Sequence, residues 1–113
     1  MREIDLLRTP EYLEALNLWN QGLFWEVHEA LEPLWIRLAG PDRALTHGII
    51  LLAAALHKAK SSSTGGWRNF DKALKHLDGI PANYQGIRVK ALVEEVRLAL
   101  ERELQSLPDF PLL

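Results

Sequence analysis

The sequence predicts an all-α fold, a compact bundle of about five helices with an apolar third helix at its centre. Three observations carry this reading. Apolar residues recur at three- and four-residue spacing along most of the 113-residue chain, as they do when one face of each helix is buried. No segment alternates apolar and polar residues over the length of a strand, so no sheet is expected. One stretch, Gly48-Ile49-Ile50-Leu51-Leu52-Ala53-Ala54-Ala55-Leu56, is apolar on every side, which suits a helix enclosed by others. The length fits one helical domain over residues 1–113.

The first helix is expected from about Pro10 to Gln21. Thr9 suits the N-cap, Pro10 the first helical position and Glu11 the positive end of the helix dipole, while Gly22 ends it. The second runs from about Leu23 to Leu38 and stops at Gly40-Pro41, and the third spans about Asp42 to Lys60. Ser61-Ser62-Ser63-Thr64-Gly65-Gly66 reads as the clearest loop in the chain. A fourth helix covers about Trp67 to Leu77, and residues 78–83 make a turn. The fifth covers about Tyr84 to Leu107, with Val89, Leu92, Val93, Val96, Leu100 and Leu104 on one stripe. Pro33 conflicts with the second helix. An interior proline removes a hydrogen bond and clashes with the preceding turn, at a cost of about 3 kcal/mol. Either a kink after Glu32 or a separate short helix from Pro33 to Leu38 is expected.

Composition excludes several classes. The chain has no cysteine, which rules out a disulfide framework, thiolate metal sites and a cysteine nucleophile. No apolar run approaches the roughly 18 residues of a membrane span, and the first residues lack the apolar stretch of a secretory signal. A cytoplasmic protein with no membrane association is the expectation. The net charge of −2 hides an asymmetry. Residues 1–42 carry three basic and eight acidic side chains, residues 43–90 eight basic and two acidic, and residues 91–113 two basic and five acidic. Acidic and basic helices lying side by side account for this, so nucleic acid is not the expected partner. Anion or RNA binding by the basic segment 58–90 stays as one alternative.

The informative stretch is Phe24-Trp25-Glu26-Val27-His28-Glu29-Ala30-Leu31-Glu32-Pro33-Leu34-Trp35. At 100° per residue, Phe24, Val27, Leu31, Leu34, Trp35 and Leu38 share the core face. His28 and Glu32 stand one turn apart at its edge, flanked by Trp25 and Trp35, where partial burial can perturb ionisable groups. His28-Glu29-x-x-Glu32 also misses the zinc-protease pattern H-E-x-x-H by one residue. Its third ligand has to come from elsewhere. His47 and His57 stand ten residues apart on one helix, about 15 Å along the axis, and cannot both serve. In an antiparallel hairpin His28 falls level with about Ala53, which favours His57. Equally, an i, i+4 pair of this kind arises by chance at the edge of many cores. Trp19, Trp25, Trp35 and Trp67 suit core and core-edge packing for the same reason.

Asn20-x-Gly22-x-Phe24-Trp25-Glu26-x-His28-Glu29-x-Leu31-Glu32-x-x-Trp35, followed by Gly48-Ile49-Ile50-x-Leu52-Ala53-Ala54-Ala55-Leu56-His57, resembles a bacterial and archaeal family known as domain of unknown function 309. Gly66-x-x-x-Phe70-x-Lys72-Ala73-Leu74 resembles its third block more loosely, and the likeness extends over about residues 15–80. The resemblance implies a small all-helical domain, with no established activity, substrate or cofactor. The chain departs from the family pattern at His47, where glutamine is usual, and at Pro33, where a non-proline residue is usual.

Three functions are consistent with these residues. The leading one is a non-enzymatic module that binds a protein or small-molecule ligand in a cleft lined by Trp25, His28, Glu29, Glu32, Trp35 and His57, with no metal and no cofactor. The alternative is a metal-dependent hydrolase, with His28, Glu32 and His57 as ligands and Glu29 as base. Against it, the helical wheel turns Glu29 about 100° from His28. The third is the basic segment as an anion or RNA site. The residues leave ligand, partner and oligomeric state open, a homo-oligomer included. The loop at residues 61–66 lacks the phosphate-binding pattern G-x-x-x-x-G-K-[ST], so it is no nucleotide loop.

Overall fold

A computed structural model describes residues 4–113. A single turn of 3-10 helix, Leu6–Arg8, leads into five helices: α1 (Pro10–Asn20), α2 (Phe24–Trp35), α3 (Gly40–Ala59), α4 (Ser63–Leu77) and α5 (Val89–Glu101). Between α4 and α5 lies a two-stranded hairpin, β1 (Asn83–Tyr84) and β2 (Ile87–Arg88). Each of the first four helices packs chiefly on its neighbours in sequence, and α5 closes against α3 and α4. No helix among the described residues is long and apolar enough to cross a membrane.

The first helix starts as expected. The Thr9 hydroxyl accepts a hydrogen bond from the Tyr12 amide, and Pro10 occupies the first turn. α2 turns Phe24, Val27, Leu31 and Leu34 into the core. It runs unbroken through Pro33 and ends at Trp35. Proline is tolerated there because the helix stops two residues later, so only its last turn loses a hydrogen bond. α3 is the central helix. Leu45, Ile49, Leu52, Ala53, Ala55 and Leu56 are all buried, while Leu51 and Ala54 form a half-buried strip.

Three expectations needed correction. Residues 61–66 are mostly not a loop: α4 begins at Ser63, and the Ser62 hydroxyl caps it by accepting from the Gly65 amide at 3.0 Å. The cluster of serines and glycines reads as a loop, yet it supplies a cap and a close helix contact. A small sheet exists where a helix was expected to begin. Gln85 and Gly86 both have positive φ, 54° and 77°, the backbone that a tight two-residue hairpin turn requires. α5 therefore starts at Val89 and ends at Glu101, because Glu103 and Leu104 take left-handed φ values of 53° and 63° and turn the chain away. The Leu104 amide donates back to the Ala99 carbonyl at 2.9 Å and closes that end. The segment beyond packs on α1: the Trp19 indole N–H donates to the Pro108 carbonyl, the Phe110 amide donates to Asn20 Oδ1, and the Trp19 and Phe110 rings meet edge to face.

The α3–α4 contact is the most extensive in the bundle. A Cβ on Gly48 would overlap the Leu77 side chain, and one on Gly66 would stand 2.8 Å from Ala59 Cβ and 3.1 Å from the Ala55 carbonyl oxygen. Gly66 thus faces backbone, which cannot move aside as a long side chain can. Gly66→Ala gains helix propensity, about 1 kcal/mol, and loses more through overpacking. The expected net loss is about 1–2 kcal/mol in urea unfolding. A stabilised variant would contradict the close contact.

Candidate functional site

Trp25 and His28 lie one turn apart on α2, and their rings stack with centroids 5.1 Å apart and planes 22° from parallel. His57, near the C-terminal end of α3, comes within 5.5 Å of the same indole. The antiparallel hairpin of α2 and α3 produces this meeting, as the register argument anticipates. His28 Nε2 lies 3.6 Å from Glu32 Oε2, so these two form the i, i+4 pair. Its Nδ1 is buried and has no partner among the described residues. Trp25 itself is 47% exposed.

Trp35 belongs to a different group. Its ring lies 4.7 Å from His47 of α3, and the Arg43 guanidinium sits 5.0 Å above it. His47 in turn packs against His76 of α4, with ring centroids 3.9 Å apart. The buried indole N–H of Trp35 has no acceptor among the described residues. Desolvation holds the His47 imidazole below its usual range, with smaller contributions from His76 and Arg43. The expected lining residues therefore divide: Trp25, His28, Glu32 and His57 gather at one end of the α2–α3 contact, and Trp35 joins Arg43, His47 and His76 at the other.

Sequence reasoning did not anticipate Arg43 and His76, and it had set His47 aside as the poorer ligand. A signal was present. Arg43 and His47 stand at i, i+4 on α3, and Lys72 and His76 at i, i+4 on α4, two basic pairs where opposite charges would stabilise the helices better.

Glu29 points elsewhere. It lines a groove between α1 and α2 with Glu11, Glu14, Glu26 and Pro33, so a base at this position would face away from His28. The alternative ligand set of His28, Glu32 and His57 does not assemble either. Among the described residues no three His, Asp or Glu side chains converge as a metal site, and the Trp25 indole lies against both imidazoles. An open cleft of about 1220 Å³ lies apart from these side chains, lined by Arg8, Arg37, Asp42, Tyr84 and Gln85 among others. There Asp42 accepts hydrogen bonds from the Tyr84 hydroxyl and the Gln85 amide.

Fold and side chains together define a small helical domain with two tryptophan–imidazole groups along one helix pair. The chain belongs to the family described as domain of unknown function DUF309, whose profile matches residues 12–70. It is similar to a conserved hypothetical protein of Thermus thermophilus of known crystal structure, with 42% identity and a TM-score of 0.74. That match covers 81% of this chain and 97% of the other. No curated protein matches it.

Two measurements check this geometry. A double-mutant cycle on His28→Ala and Glu32→Ala is expected to give a coupling of about 0.3–0.5 kcal/mol, the scale of a half-exposed i, i+4 pair. Additive effects would place the two side chains in separate environments. The second concerns His47. Its depressed folded value means that the unfolded chain binds the proton more readily. Stability contributed by the neutral imidazole is present above about pH 6.5 and is lost as pH falls below it. His47→Gln is expected to flatten that fall in a pH series of urea melts. An unchanged slope would remove His47 as its source.

Proposed function

We propose that the chain is a non-enzymatic ligand-binding module whose recognition surface is the end of the α2–α3 face bearing Trp25, His28, Glu32 and His57. The observation that carries this reading is the half-exposed Trp25 indole, held against imidazoles from two different helices. An indole so fixed gives a planar ligand a stacking surface at little further entropic cost. Glu32, paired with His28, offers a hydrogen-bond acceptor. The position of Glu29 in another groove favours binding over hydrolysis. The absence of cysteine agrees with a cytoplasmic setting.

A tryptophan kept for packing and one kept for recognition differ in what their loss costs. Trp19 is 1% exposed, and Trp19→Ala is expected to cost about 3–5 kcal/mol. Trp25→Ala is expected to cost well under half of that, while abolishing binding of aromatic fragments found by NMR screening of the wild-type chain. A loss of stability as large as that of Trp19→Ala, or fragments that bind Trp25→Ala equally well, would overturn the proposal.

A further inference from the structure

We infer that Arg43, His47 and His76, beside the Trp35 ring, form an oxyanion-binding site that takes a phosphoryl-type or carboxylate group. The inference does not rest on the Trp25 group, which lies at the other end of the α2–α3 contact.

Three independent features meet here. The first is a gathering of basic side chains. His47 and His76 pack ring against ring across the α3–α4 contact, at 3.9 Å between centroids. Arg43 lies one turn before His47, and Lys72 one turn before His76. The titratable and charged groups that bear on His47 are Arg43 of its own helix and His76 of α4, while α2 presents the uncharged Trp35. No carboxylate is among them. Like-charged neighbours at i, i+4 destabilise helices slightly, and here the arrangement occurs on both sides of one contact.

The second feature is an excess of donors. Neither imidazole has a hydrogen-bond partner among the described residues. Among the described residues the Arg43 guanidinium, over the Trp35 ring, hydrogen-bonds only to the Leu38 carbonyl, at 3.5 Å. The Trp35 indole N–H, a group that only donates, is buried without an acceptor. A buried polar group left in this state is costly. An oxyanion supplies several acceptors at once and pairs with guanidinium in a charge-assisted, bidentate way.

The third feature is rigidity. Gly48, next to His47, and Leu77, next to His76, are in contact that leaves no room for a Cβ. The packing of the Leu77 side chain on Gly48 thus sets the two imidazoles side by side, and a ligand does not have to gather them. Binding an anion favours their protonated forms, so the site takes up protons as it fills.

The test uses the full chain with histidine-resolved NMR and titrations of sodium sulfate and of sodium acetate, at ionic strength fixed with chloride. Neither anion titrates between pH 6 and 8, so any pH dependence belongs to the protein. Saturable shifts of the His47 and His76 resonances are expected with at least one anion. Affinity should be greater at pH 6 than at pH 8, by at most about tenfold per pH unit for coupled uptake of one proton. Response to sulfate alone assigns a phosphoryl-type ligand, and response to acetate alone assigns a carboxylate. Arg43→Gln, at an exposed side chain, should retain the fold and lose at least tenfold in affinity. His76→Gln should weaken the pH dependence. Shifts with neither anion, shifts that do not saturate, or equal affinity in Arg43→Gln would overturn the inference.

Discussion

The close approach of α3 and α4 is the constraint on which the rest of the structure depends. Gly66 lets the α4 backbone approach that of α3, and Gly48 makes room on α3 for the Leu77 side chain. That contact seals one side of the central helix and leaves α2 to cover another. It also fixes which side chains meet. His47 and His76 are the immediate neighbours of Gly48 and Leu77, so the imidazole pair is a direct result of the glycine contact. A wider helix separation would have left two surface histidines with nothing in common.

Charge follows the same order. The helices stand beside their neighbours in sequence, so the acidic first third and the basic middle of the chain become adjacent strips of surface. Four glutamates of α1 and α2 line one groove, while Arg37 near the end of α2 reaches back to Glu11 of α1 at 2.6 Å. The ion pairs stay within their own blocks: Arg37 and Glu11 both belong to the acidic third, and Arg97 pairs with Glu94 and Glu101 of α5. The group around His47 gathers basic side chains, with Arg43 and His76 lowering the proton affinity of that imidazole. In a chain with a net negative charge, such a place stands out more than a basic residue would in a basic protein.

Much of the fold could be read from the sequence because helical periodicity is a repeating signal. The apolar run of residues 48–56 announced the central helix, and the caps of α1 were legible in Thr9 and Pro10. The hairpin was not, because two residues per strand are too few to show alternation and its turn is marked only by Gln85-Gly86. The start of α4 was hidden for a different reason: Ser62 and Gly66 act through a cap and a tertiary contact, and local propensity reports neither. The site was half legible. His28, Glu32 and Trp25 lie within one helix, where spacing fixes proximity. The link from Trp25 to His57 needed only the hairpin register. Trp35, His47 and His76 come from three helices, and their meeting depends on an interhelical distance that no single segment encodes.

The docked segment after α5 bears on the timescale of folding. Contacts among the first four helices join neighbours in sequence, so most of the bundle can form through short loop closures. The contacts of Phe110 and Pro108 with α1 span about ninety residues and cannot be reached by local closure. A clasp of that kind fits a structure completed after the helices have condensed. Interactions made after the transition state leave the folding rate nearly untouched and slow unfolding instead. Trp19, set between Phe24 and Phe110, thereby helps to set the lifetime of the native state as well as to fill the core.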